Sequence, residues 1–172
     1  RFESRGLGDV YKRQALNPSQ MEAMDAAMKR RVTIVQGPPG TGKTHTAVAT
    51  LAQLAMEGRG PILATAESTV AVDNLLEGLL DLGIRAVRIG RPVKVRETLR
   101  MATLDAQIED HPKQDELAII RDEMDEVHRA LPKLKGREKG LAHRDIQHNK
   151  KEMRRIEKEM IASVLDLSLI HI

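Results

Sequence analysis

Residues 32–44 read Val-Thr-Ile-Val-Gln-Gly-Pro-Pro-Gly-Thr-Gly-Lys-Thr, an apolar run followed by a complete G-x-x-x-x-G-K-S/T loop. An alanine-rich stretch with helical spacing follows the loop. The order of strand, glycine-rich loop and helix is typical of a nucleoside-triphosphate site, because glycines let several backbone N–H groups point at phosphate oxygens. The positive end of the helix dipole faces the same point. A chance turn of glycine and proline ahead of a helix is the alternative, and the flanking elements argue against it.

The loop supplies the candidate binding residues. Lys43 is expected to place its charge at the β- and γ-phosphates of ATP, where it is also the one candidate for stabilising a transition state. Thr44 is expected to offer its hydroxyl to Mg²⁺. The rest of the expected phosphate cradle consists of Gly37, Pro38, Pro39, Gly40, Thr41 and Gly42.

Composition narrows the class of protein. A chain of 172 residues can bury one good core, and the absence of cysteine excludes disulfides and zinc-thiolate sites. Its apolar runs are too short to span a membrane, and the N-terminus lacks the apolar stretch of a signal peptide. We therefore expect a cytoplasmic protein without a membrane partner.

Both ends of the chain read as translated adapter DNA. With codons GAT GTG TAT AAG AGA CAG, residues 9–14 have the reverse complement CTG TCT CTT ATA CAC ATC, which translates as residues 167–172. This element resembles the transposon end used as a sequencing-library adapter, and residues 4–8 fit the sequence upstream of it. We expect residues 1–14 to be adapter-derived and disordered, and residues 167–172 to be adapter-derived. Residues 4–14 also carry two of the three formal net positive charges, so the chain between the adapters is near neutral.

Between these ends, helical and strand patterns alternate. Strands are expected at 32–35, 61–65 and 86–89, and helices at about 19–29, 43–57 and 70–82. This alternation predicts an α/β fold with a parallel sheet over residues 15–112. Residues 113–166 carry two apolar stripes interrupted at Pro132, Gly136 and Gly140, which predicts an antiparallel helical hairpin.

Three blocks together resemble the superfamily 1B helicases, the group that includes the nonsense-mediated-decay RNA helicase. Residues 16–20, Leu-Asn-Pro-Ser-Gln, resemble the Q motif of that family, and residues 36–44 resemble its motif I. Residues 62–75 resemble motif Ia, and residues 87–92 and 103–107 match the segment that follows it. The resemblance implies a partial P-loop NTPase (RecA-like) sheet at 15–112 and a helical stalk insertion at 113–166.

The resemblance adds further site residues. In the family, the Q-motif glutamine, here Gln20, reads adenine, and a glutamine amide can pair with adenine N6 and N7 at once. Ser68 and Thr69 stand where the family contacts the backbone of single-stranded RNA or DNA, and plain N-capping is the alternative role. Glu67 and Thr69 depart from the family pattern, which commonly has Pro and Asn at these positions, and Glu67 adds negative charge there. Residues 15–166 contain no aromatic side chain, so strand contacts cannot use stacking.

The expected function is the ATP-binding N-terminal part of an ATP-dependent nucleic-acid helicase. The family's Walker B carboxylates and second motor domain lie downstream of the matched blocks, so we expect a fragment that is inactive alone and lacks its partner domain in cis. Two alternatives stay open at this point: a coiled-coil structural ATPase of the chromosome-maintenance kind, and a nucleotide-gated interaction module. RNA or DNA preference, polarity, protein partners and oligomeric state are not encoded in these patterns.

Overall fold

The computed structural model describes residues 16–90 and 96–172, which form mostly helices and a small parallel sheet. Packing divides the chain into two units. Within the described residues, the first unit consists of 16–90, 96–103 and 166–172, and the second is Leu104–Leu165. The segment 1–14, expected to be disordered adapter, lies outside the described residues.

Three helices form the framework of the first unit: α1 (Pro18–Lys29), α2 (Lys43–Met56) and α3 (Thr69–Asp81). Local signals set where they begin. The Asn17 side chain caps α1, and the Ser68 hydroxyl caps α3 by accepting from the Ala71 N–H at 3.2 Å. Gly58 and Gly83, at φ +71° and +70°, follow the ends of α2 and α3 in the left-handed conformation that favours glycine.

The sheet is parallel and contains β1 (Ile62–Leu63), β2 (Ala86–Val87) and β3 (Ile170–His171) in the order β1-β3-β2. Ile170 pairs with Ile62 on one side and with Ala86 on the other. Whatever the origin of residues 167–172, they therefore supply the central strand of the described sheet. The Ile170 side chain is completely buried in the core of the unit.

Helices α2 and α3 pack closely over this core. A Cβ added at Gly78 of α3 would lie 2.9 Å from Val48 Cγ2 of α2, so a glycine is needed where the two helices meet. Leu76 and Leu79 of α3 are fully buried in the same cluster. Met24 of α1 is buried against α2, and Met21 and Met28 of the same helix pack beside it.

The strand expected at 32–35 is absent from the sheet. The segment is not assigned to any strand, and Val32 and Ile34 are 78% and 88% exposed. The physical reason is non-local: an apolar run becomes a strand only when another strand pairs with it. The three described strands pair with each other instead.

A buried ion pair joins α3 to the end of β2. Arg88 Nε donates to Asp73 Oδ1 at 2.9 Å, and the two side chains are only 3% and 4% exposed. Arg88 Nη1 has no hydrogen-bond partner among the described residues. Removing one member of such a pair leaves a buried charge without its partner, so both residues are structural constraints. A 3₁₀ helix, Glu97–Ala102, follows and leads to a bridge between Arg88 and Thr103.

The second unit contains α4 (Leu104–Glu109), α5 (Gln114–Ala130), a 3₁₀ turn (Leu131–Lys133) and α6, which begins at Gly136 and extends to Leu167. Leu117, near the start of α5, packs against Ile156 and Met160, near the end of α6. The two helices are thus antiparallel. Gly140 lies inside α6, so the expected loose connection at this residue is wrong, because a single glycine is tolerated in a long helix.

Ion pairs reinforce the end of this hairpin opposite its turn. Lys113 Nζ donates to Glu159 Oε2 at 2.5 Å, and Arg155 pairs with both Glu152 and Glu159. The hydrogen bond from Lys113 and the charge of Arg155 hold the pKa of Glu159 below its ordinary value. The side chains are well exposed, so water screens these interactions.

None of the helices in residues 16–90 and 96–172 combines the length and the apolar character needed to cross a membrane.

Replacing Ile170 by Ala is expected to lower the free energy of unfolding by about 2–5 kcal/mol, because it opens a cavity at the centre of the sheet. Urea denaturation followed by circular dichroism measures this. Leu169→Ala is the matched control, since Leu169 is 37% exposed. Equal destabilisation by the two substitutions would contradict the placement of β3.

The Glu159 ion pairs predict a specific dependence of stability on pH. Because the pKa of Glu159 is lowered in the folded state, its contribution is present at neutral pH and is lost as the pH falls through that pKa. Glu159→Gln is therefore expected to lower the melting temperature at pH 7 and to flatten its decline towards pH 3. Glu157→Gln, on the same helix, should keep the wild-type profile. Parallel profiles for all three proteins would refute the role assigned to Glu159.

Candidate nucleotide-binding site

The phosphate loop depends on glycines at defined positions. Gly40 and Gly42 adopt φ +82° and +77°, values that side chains rarely allow. A Cβ at Gly42 would also lie 2.5 Å from Gln20 Nε2, and one at Gly37 would lie 2.8 Å from Thr41 Oγ1. The loop therefore turns tightly and passes directly into α2, whose first residue is Lys43.

Lys43 folds back across the loop that precedes it. Its ammonium donates to Gly37 O at 2.7 Å and to Pro38 O at 2.8 Å. Thr41 Oγ1 donates to Pro38 O at 2.9 Å and closes the loop further. An ionised phosphate oxygen is a stronger acceptor than these neutral carbonyls, so the ammonium is already close to where an anion would compete for it.

Gln20 lies against the same loop. Its Nε2 donates to Thr41 O at 3.0 Å, and its Oε1 accepts from the Asn17 N–H at 2.9 Å. Together with the Asn17 side chain, which accepts from Gln20 N, this forms a capping box at the start of α1. A primary amide has a second donor hydrogen and a second acceptor lone pair. Gln20 can therefore hold the loop and contact a base at the same time.

The hydroxyl of Thr44 is exposed and makes no hydrogen bond in the part of the chain that the structure describes. Mg²⁺ at phosphate sites takes one or two protein oxygens and completes its shell with phosphate oxygens and water. The Thr44 hydroxyl fits that role as a single protein ligand. No cluster of His, Cys, Asp or Glu within the described ranges could hold a metal ion independently.

A cavity of about 400 Å³ lies beside the loop. Part of its wall is formed by Ala23 and Ala27 of α1, Thr33 and Val35, and Lys43 and Thr46 of α2. Thr33 Oγ1 is buried without a hydrogen-bond partner among the described residues. The cavity borders the unpaired segment 32–35, and its mostly apolar wall suits packing better than phosphate binding.

Ser68 and Thr69 occupy the exposed start of α3. The Ser68 hydroxyl acts as the N-cap, which is the structural role weighed for it in the sequence. No hydrogen bond joins either residue to the phosphate loop within the described residues. The structure thus brings Gln20 to the loop and leaves Ser68 and Thr69 at a separate helix terminus.

Two structural contacts were missed from the sequence. The Asn17–Gln20 capping box had a usable signal, because a cap residue followed three positions later by Gln has the spacing of that motif. The Asp73–Arg88 pair had none, since the partners lie fifteen positions apart on different elements. Only the packing of α3 on the sheet brings them together.

A known protein family and several individual proteins are similar to this chain. Residues 15–168 match the family AAA_11, described as an AAA domain. DNA polymerase alpha-associated DNA helicase A of Schizosaccharomyces pombe is 30% identical over 98% of this chain and 26% of its own length. An uncharacterized ATP-dependent helicase of Methanocaldococcus jannaschii is 34% identical over 88% of this chain and 24% of its own length. A regulator of nonsense transcripts 1 homolog of Arabidopsis thaliana is 32% identical over 86% of this chain and 11% of its own length.

The chain thus spans about a quarter of the length of these relatives or less. The relatives confirm the resemblance to superfamily 1 helicases of the nonsense-mediated-decay type. The family match includes the phosphate loop, Gln20 and the helical hairpin. This chain belongs to the AAA_11 family of AAA domains.

Proposed function

We propose that the chain is the ATP-binding part of an ATP-dependent nucleic-acid helicase. The observation that carries the proposal is the position of Lys43 within the tight loop at the start of α2, 2.7 and 2.8 Å from two loop carbonyls. A loop of this shape with a helix dipole behind it favours phosphate. Two of the relatives are named as a DNA helicase and an ATP-dependent helicase, which supports a motor protein over a chromosome-maintenance ATPase.

Binding of ATP in this proposal uses four kinds of contact. The loop amides of Gly37 to Thr44 surround the phosphates, and the Lys43 ammonium exchanges its carbonyl acceptors for β- and γ-phosphate oxygens. The Thr44 hydroxyl holds Mg²⁺, which would neutralise charge on the phosphates. Gln20 contacts adenine with the free donor and acceptor positions of its amide.

The nucleic-acid strand is assigned to the start of α3. Ser68 and Thr69 are exposed there, at a helix N-terminus whose first N–H groups can hold a phosphate. Contacts of this kind carry no sugar or base identity, so the proposed substrate is single-stranded RNA or DNA. The antiparallel helices of 113–166 are proposed as the stalk insertion, and residues 15–112 as part of the first motor domain. A second motor domain in cis would complete the ATP cleft.

The first test concerns Lys43. Binding of a fluorescent ATP analogue with Mg²⁺ to the full chain is expected to weaken at least tenfold in Lys43→Ala, because the charge at the phosphates is lost. Lys29→Ala, at the exposed end of α1, should bind as the wild type does. Equal affinities of the wild type and Lys43→Ala would contradict the proposal that this loop binds the phosphates.

The second test separates base recognition by Gln20 from its structural contacts. Gln20→Ala is expected to reduce the preference for ATP over GTP, measured as the ratio of dissociation constants. Asn17→Ala removes the side-chain half of the same capping box, at a cost of about 1 kcal/mol, but keeps the backbone N–H that Gln20 Oε1 accepts from and should leave the ratio unchanged. An equal change of the ATP-to-GTP ratio in both variants would show that Gln20 acts only through the capping box.

A further inference from the structure

Helix α6 carries a line of exposed basic side chains, named here the basic ridge: Arg144, Lys151, Arg154 and Lys158. A helix advances about 100° per residue, so the four side chains fall within a sector of roughly 80°. Ala142, Ile146, Ile156 and Met160 are the buried residues of α6 in this region, and they lie on the opposite side of the helix. The basic ridge therefore faces away from the hairpin seam.

The four side chains of the basic ridge are exposed to solvent. None of its four members forms an ion pair within the described residues. Arg155, the basic neighbour, is different, because Glu152 and Glu159 engage its guanidinium. The hydrogen bond from Arg155 lowers the pKa of Glu152, and the charge of Lys151 adds a smaller effect in the same direction.

The hairpin is also polarised between its two helices. Helix α5 is predominantly acidic and carries Asp115, Glu116, Asp122, Glu123, Asp125 and Glu126 against Arg121 and Arg129. Helix α6 as a whole is mixed, with eight Lys and Arg residues against six Asp and Glu residues. At the basic ridge, however, one outward face of α6 carries a single sign from Arg144 to Lys158, a distance of about 21 Å along the helix.

We propose that the basic ridge binds the phosphate backbone of a nucleic-acid strand, as a second contact site separate from Ser68 and Thr69. The inference rests on the proposed function for its class of ligand. The linear, evenly signed arrangement suits a polyanion whose charges repeat along a line. The ridge offers no large apolar side chain that could insert into a membrane, so a lipid surface fits it less well.

The test removes charge while keeping good helix formers. The ridge variant combines Lys151→Gln, Arg154→Gln and Lys158→Gln in the full chain. The matched control variant combines Lys133→Gln, Lys135→Gln and Lys139→Gln near the hairpin turn. Fluorescence anisotropy with a labelled twenty-nucleotide poly-dT and poly-U measures affinity between 50 and 200 mM salt. The ridge variant is expected to bind about tenfold or more weakly at 50 mM salt, with a slope of log K against log salt shallower by about 2. The control should keep the wild-type slope.

Several outcomes would overturn the proposal. The first is that the wild-type chain binds neither oligonucleotide at 50 mM salt. The second is that the ridge variant keeps the wild-type slope of log K against log salt. The third is that the control variant loses as much affinity as the ridge variant. Ridge-dependent binding to phosphatidylserine vesicles with unchanged oligonucleotide binding would also overturn it in favour of a membrane. ATP-analogue binding by the same proteins separates the two proposals: its absence in the wild type removes the ATP site but leaves the oligonucleotide result valid. Ser68→Ala, combined with the ridge variant, shows whether the two strand contacts are independent.

Discussion

The phosphate loop is held by a contact between its own two ends, the hydrogen bonds of the Lys43 ammonium to Gly37 O and Pro38 O. Those bonds exist only because Gly40 and Gly42 adopt left-handed conformations that reverse the chain just before α2 begins. Gln20 then rests on Thr41 O, where any side chain at Gly42 would collide with it. One backbone reversal therefore positions the lysine, starts the helix and fixes where the capping-box glutamine lies.

The parts of the fold that depend on local signals were predictable from the sequence. Asn17 and Ser68 begin α1 and α3, and Gly58 follows the end of α2, so the helices lie within one residue of their expected bounds. The parts that depend on distant partners were not. Residues 32–35 have the composition of a strand and yet remain unpaired, while Ile170, 135 residues after residue 35, occupies the centre of the sheet. Apolar composition reports a tendency to be buried and does not identify the partner.

The same distinction between local signals and distant partners applies to the candidate nucleotide-binding site. The residues proposed to bind phosphate belong to a contiguous motif whose chemistry is carried by backbone and neighbouring side chains, so their positions were predictable. The contact of Gln20 with Thr41 O joins residues twenty-one positions apart and became visible only in three dimensions. It gives a physical reason for the proposed base contact to influence the loop: the amide that would contact adenine also donates to the carbonyl of the residue before Gly42. The buried Asp73–Arg88 pair fixes α3, and with it Ser68, to the end of β2 in a similar way.

The most direct test of the central claim is a titration of the full chain with ATP and Mg²⁺ followed by backbone amide chemical shifts. The account predicts that the largest shifts occur at Gly37, Gly40, Gly42 and Thr44, that pyrophosphate reproduces most of them, and that Gln20 responds to ATP alone. Saturable ATP binding that leaves these loop amides unperturbed and shifts residues elsewhere would contradict it.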